Sequence, residues 1–258
     1  MTFKNISLIS AAAALMIVSG SSSAATIGEL GVLDSSANGG INPATGVAWA
    51  NGDQYRLIFI TSDTVANSLN NLAPHGAGSS TNAADYNAFI TEVAQGDYST
   101  SLVDGNTVDW FVVGSVGATQ ATATGAKPNT GTDSGTGVPI LLFDGTTLFA
   151  ADNADLWNGP NGTTYITIDE EGTSFTTSGI ATGTTNSGAI GSKPIGNTDS
   201  GNVVGGRTTT NQWMQVAGTN SASAHYYGIS DTLTVVPEPG SLALLGMASL
   251  CALRRRRG

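Results

Sequence analysis

The sequence predicts a single β-dominated α+β domain with one clear helix, followed by a short C-terminal membrane-crossing segment. Three observations carry this expectation. Short runs of β-branched and aromatic residues recur along the chain, separated by Gly, Ser, Thr and Asn. One stretch, 82–95, repeats its apolar residues at the three-and-four spacing of a helix. Charged residues make up only 11% of the chain while Gly alone contributes 34 residues, which suits a loop-rich extracellular module better than a helical cytosolic enzyme.

Taken in order, 53–62 (DQYRLIFITS) reads as a buried strand, rich in β-branched and aromatic residues with few breakers. A Gly/Ser/Asn loop leads to the helix, capped by Asn82 with Asp85 in its first turn. Tyr86, Phe89, Ile90, Val93 and Ala94 form its apolar face, and Gly96 stops it. Residues 110–113 read as a strand. Residues 139–149 read as a hairpin in which Asp144-Gly145 suits a two-residue type I′ turn. Short strands are expected at 165–169, 174–177 and 212–216. A terminal strand is expected at 226–236, with Tyr227, Ile229, Leu233 and Val235 on one side. Gly125-Ala126-Lys127-Pro128 and Gly191-Ser192-Lys193-Pro194 are each followed by Thr-Asp-Ser-Gly, which reads as two exposed loops of one turn chemistry, or as coincidence in so Gly- and Thr-rich a chain.

The two ends are of another kind. Residues 1–25 have the three parts of a secretory signal: Lys4, an apolar run from Ile6 to Val18, and a small-residue stretch with cleavage points after Ala24 or Ala25. A retained anchoring helix is the alternative, and the shortness of the run favours cleavage. The exported domain is then 26–235. Residues 236–258 read Val236-Pro237-Glu238-Pro239, an apolar segment 240–253, and Arg254, Arg255, Arg256 and Arg257 before Gly258. A 14-residue helix rises about 21 Å against a hydrocarbon core of roughly 30 Å, so it crosses only with help from its flanks. The four arginines hold their end on the cytoplasmic side and act as a membrane stop, leaving the two prolines facing outward.

Val-Pro-Glu-Pro, a short apolar segment and a terminal Arg cluster, in that order, resemble the PEP-CTERM sorting domain. That resemblance implies a Gram-negative exported protein whose tail is the substrate of exosortase, a membrane-embedded transpeptidase-like enzyme. It also implies transient anchoring in the inner membrane before delivery to the cell envelope, outer surface or extracellular matrix. A plain C-terminal anchor is the alternative.

Residues 26–236 hold four basic residues (Arg56, Lys127, Lys193, Arg207) against 18 acidic ones, a net charge near −14 that argues against nucleic acid and anionic lipid as partners. Cys251, the one cysteine of the chain, lies in the tail, so the exported domain has neither a disulfide nor a thiol nucleophile. Some 210 residues suffice for one domain with its own core.

A second resemblance runs through the middle of the chain. Tyr86-Asn87-Ala88-Phe89, Trp110, Val138-Pro139-Ile140 and Phe143-Asp144-Gly145 come first. Asp155-Leu156-Trp157-Asn158-Gly159, Asp169-Glu170-Glu171-Gly172, Ala181-Thr182-Gly183-Thr184 and Trp213 follow. Their order is similar to that of bacterial C-type-lectin-like, endostatin-like domains. Ala181 stands where that layout has Trp, and the calcium-lectin words are absent, so the resemblance implies the fold and not the sugar site.

No catalytic, cofactor-binding or metal constellation stands out. His75 and His225 are isolated, with no zinc-ligand spacing, and no Gly-x-Ser-x-Gly elbow occurs. Asp152, Asp155, Asp169, Glu170 and Glu171 are the hard-cation candidates, against the plainer reading that they solvate loops. Trp110, Trp157 and Trp213 are candidate sugar platforms, more simply core residues, with Trp157 the best placed for exposure among its Asn and Gly neighbours. The expected function is a non-catalytic surface or matrix protein, glycosylated on its many Ser and Thr. The alternatives are an exopolysaccharide-binding module and an envelope hydrolase with a carboxylate pair.

Overall fold

A computed structural model describes residues 40–50, 52–62, 80–96, 108–158, 165–177, 179–197, 203–206, 213–219 and 224–235. The expected signal peptide, the loop carrying His75, and the tail 236–258 with its motif, apolar segment and arginines lie outside them. Over the described residues the chain is a sheet-dominated α+β protein with few helices.

The main sheet is built around β1 (Gln54–Ile60), the apolar run anticipated from the sequence. It is buried from its second residue onward because it has neighbours on both edges and layers on both faces. β2 (Trp110–Val112), β3 (Ile140–Leu142), β4 (Leu148–Ala150), β8 (Tyr227–Ser230) and β9 (Leu233–Thr234) complete it, in the order β2-β8-β1-β3-β4, with β9 beside the start of β1. β1 and β3 run parallel, and β1 with β8 antiparallel. Alternation along β1 divides the core. Tyr55, Leu57 and Phe59 join one cluster, while Ile58 and Ile60 join the other.

Helix α1 (Ala83–Gly96) covers the first face with Tyr86, Phe89, Ile90 and Ala94, the periodic residues of the sequence. Its entry is capped as expected, Asn82 Oδ1 accepting from Ala84 N at 3.2 Å. On the second face lie Phe149, Leu156, Trp157, Trp213 and Met214. Two short helices that the sequence did not announce, α2 (Ala126–Thr130) and α3 (Asn153–Leu156), belong to this region. A smaller antiparallel sheet of β5 (Ile180–Ala181), β6 (Val203–Gly206) and β7 (Val216–Thr219) lies in the same stretch of chain. Gly206 is required there: a Cβ would stand 1.8 Å from Trp213 O.

Four local expectations need correction. The terminal strand is broken, and its sides are not one. Ile58 pairs with Ile229 but Tyr55 with Leu233, so two residues of β1 face three of the returning chain. That extra residue is a β-bulge, and a one-residue slip turns side chains over. Tyr227 and Ile229 therefore sit in one cluster, Leu233 and Val235 in the other. Ser230 patches the gap, its Oγ accepting from Leu57 N at 3.0 Å. The hairpin loop is also wider than two residues. Leu142 N donates to Thr147 O, and Asp144 Oδ1 accepts from Thr146 N and Thr147 N, so an Asx turn shapes it, with Gly145 at φ 67°.

The two similar tetrapeptides fold differently. Gly125-Ala126-Lys127-Pro128 enters α2, whereas Gly191-Ser192-Lys193-Pro194 is not helical and leads to a parallel bridge between Val116 and Ile195. The short segments expected at 165–169 and 174–177 meet only through an isolated bridge, Ile168 with Ser174, and the strand near Trp213 begins later, at Val216.

Candidate functional site

Of the sequence candidates, those among the described residues can be placed. Trp157 follows α3, where the turn directs its ring inward. It is 7% exposed, its Nε1 donates to Thr132 Oγ1 at 2.8 Å, and its ring lies 5.7 Å from that of Trp213. Lys127 Nζ stands 5.7 Å from the ring centroid. The expectation that Trp157 forms an exposed platform is therefore overturned. Its polar neighbours mark a turn, and a turn exposes its backbone without exposing every side chain. Trp110 and Trp213 are core residues.

Asp152, Asp155 and Asp169 are engaged in holding the backbone. Asp152 caps α3, its Oδ1 accepting from Asp155 N at 2.8 Å. Asp155 accepts from Ala151 N and Asn158 Nδ2. Asp169 accepts from Glu171 N, Thr173 N and Thr173 Oγ1, closing the turn that carries it. These are turn and cap assignments, more specific than loop solvation. Among the described residues no three His, Cys, Asp or Glu side chains gather as a metal site would require.

The most distinctive chemistry lies at the C-terminal end of β1. Glu170, 3% exposed, accepts from Ser62 N at 2.8 Å and from the Ser62 hydroxyl. Burial pushes its carboxyl above the usual range, the Ser62 and backbone hydrogen bonds oppose that, and Asp169 adds to it. His225 is beside this cluster, Nδ1 2.7 Å from Thr61 O and its ring 4.9 Å from Phe175. The Ser62 hydroxyl thus donates its hydrogen bond to Glu170, and His225 Nδ1 bonds a main-chain carbonyl, which differs from the Ser-His relay of a hydrolase.

Arg56 is a buried charge of the opposite sign. Its Nε donates to Ser230 O at 2.7 Å and one terminal nitrogen to Thr130 O at 2.8 Å. Burial lowers it to about 10, against the attraction of Asp231. The signal for Arg56 was legible: one charge in an apolar run must be bonded if buried. Nothing in Asp-Glu-Glu marked Glu170 as the residue that turns inward.

β9 and Val235 bring the chain to the place where the sorting tail begins. Val235 N donates to Asp53 O at 2.8 Å, and Gly52 N to Val235 O at 2.9 Å. A family model for the PEP-CTERM protein-sorting motif matches residues 235–257, directly continuing this strand. The chain is thus one with a C-terminal sorting signal. That signal is PEP-CTERM, and it implies export and an extracellular protein sorted at the cell envelope, with exosortase as the sorting partner. No curated protein and no solved structure matches the chain.

Proposed function

We propose that residues 26–235 form a non-catalytic surface or matrix module, delivered and processed through the tail. In this reading Val236, Pro237, Glu238 and Pro239 are the processing motif, and Arg254 to Arg257 stop the apolar segment in the inner membrane. The observation that supports it is that Asp152, Asp155 and Asp169 are engaged in caps and turns, where they accept from backbone N–H groups. The sorting half is tested by fractionation and intact mass of Glu238→Ala in the native host. A full-length form accumulating in the membrane is expected, and wild-type behaviour would leave the tail a mere anchor. The non-catalytic half is tested with purified 26–235 on glycan and ester panels, where reproducible turnover overturns it.

The C-type-lectin-like fold belongs to this proposal as its finer architectural reading. Its support is the order of the sequence words along the chain, together with a sheet whose central strand is joined by the last two strands. The exopolysaccharide alternative loses Trp157 as its platform, because that ring is buried. An experimental structure of 26–235 that fails to superpose on C-type-lectin-like domains would end the fold reading.

A further inference from the structure

The junction between domain and tail has no spacer. β9 pairs with the start of β1, Tyr55 opposite Leu233 and Gln54 opposite Thr234, and the pairing continues through both backbone groups of Val235. Leu233 and Val235 are each 2% exposed and belong to the same cluster as Tyr55. The matched sorting motif starts at residue 235 itself. Pro237 and Pro239 have no N–H to continue the ladder. Between the held strand and the apolar segment from Gly240 there are only residues 236–239, which span about 13 Å fully extended.

An enzyme that cuts a peptide backbone takes its substrate as an extended strand, through main-chain hydrogen bonds on both sides of the bond. Here the groups on the domain side are already bonded to Asp53 and Gly52. We propose that processing at the motif requires β9 and Val235 to leave β1 first, so that the edge of the folded domain sets the processing rate. The inference rests on the reading that the motif is cut. In that step the acyl group upstream of the broken bond passes to water or an amine, and the tail leaves with a new amino terminus.

β9 is suited to such opening. It is two residues long and is separated from β8 by the bulge at residues 230–232, so it can detach while β8 keeps its own pairing with β1. Detachment frees residues 231–235 and adds about 16 Å of reach. When opening is fast relative to cutting, the cutting rate follows the open population.

The test is a pulse-chase of the full chain in its native host, with shortening followed by intact mass. One variant carries a six-residue Gly-Ser spacer between Val235 and Val236, which leaves the domain untouched. The other is Leu233→Ala, which weakens the hold of β9. Both are expected to shorten several-fold faster than wild type, and the two changes combined no faster than the spacer alone. A spacer variant shortened at the wild-type rate overturns the strand-release step while leaving cutting at the motif intact. A wild type that keeps its full mass overturns the processing reading and this inference with it.

Discussion

Glu170 gives the domain a pH dependence with a definite sign. In the unfolded chain its carboxyl titrates in the ordinary range, whereas burial raises it in the fold. Between the two values the native state keeps a proton that the unfolded state has lost. The contribution is therefore fully present below the unfolded value and is lost as pH rises through the folded one. Glu170→Gln removes this titration while keeping an acceptor for Ser62 N. Thermal scans of 26–235 between pH 4 and 7 should show the variant losing less stability on the way up than wild type. Parallel curves for the two proteins would sink the assignment. Trp157 is the second test at this scale. With its ring between Lys127 and Trp213 and its nitrogen on Thr132, Trp157→Ala should cost about 3–5 kcal/mol in urea unfolding, as large aromatic truncations do. A loss below ~1 kcal/mol would mean that the ring faces solvent after all.

Edge strands are the exposed risk of a sheet, and β2 is an edge whose free side is answered by two asparagines. Val112 N donates to Asn87 Oδ1 at 2.8 Å, Asn129 Nδ2 donates to Val112 O at 2.9 Å, and the two amides bond each other. Side chains from α1 and α2 thus occupy the place of a further strand. Asn87→Ala leaves the Val112 N–H without its partner, an expected loss of about 1–3 kcal/mol with increased self-association. Urea midpoints and light scattering check both, and an unchanged midpoint would show that water satisfies Val112. Legibility at this scale followed period. β1 and α1 were readable because their patterns run for several residues, and their burial matches. The short elements were not: α3 depends on the Asp152 cap, and β6 carries Gly206, where a Cβ would stand 1.8 Å from the Trp213 carbonyl oxygen. A two-residue strand has no period to read.

For the whole molecule, the proposed sorting turns on the charge that follows the apolar segment of the tail. The apolar segment 240–253 is only marginally long, so in the proposed reading the four arginines decide whether it stops. A charge at the bilayer centre costs about 2.5–3.5 kcal/mol on insertion scales, and replacing Arg254 to Arg257 by Ser removes that barrier. Such a variant should leave the inner membrane at full mass, in contrast to the membrane-held form expected of Glu238→Ala. Fractionation followed by mass measurement distinguishes them, and identical behaviour of the two would merge the roles of motif and stop. Among the described residues no helix is long and apolar enough to cross a membrane.

Address and architecture were written in different ways. The sorting signal is linear, read by a membrane and an enzyme from local composition and order, and the family match at 235–257 agrees with the words that announced it. The central strand and the helix are likewise local, since each repeats a period long enough to be seen. Only the tertiary structure decided that Glu170 turns inward to Ser62, that Trp157 is covered, and that a bulge at residues 230–232 sends Leu233 and Val235 to the opposite side from Ile229. These depend on partners far away in sequence: Ser62 is 108 residues from Glu170, and the bulge exists only against β1. A side chain's surroundings are set by what the fold brings to it, and no local pattern carries that information.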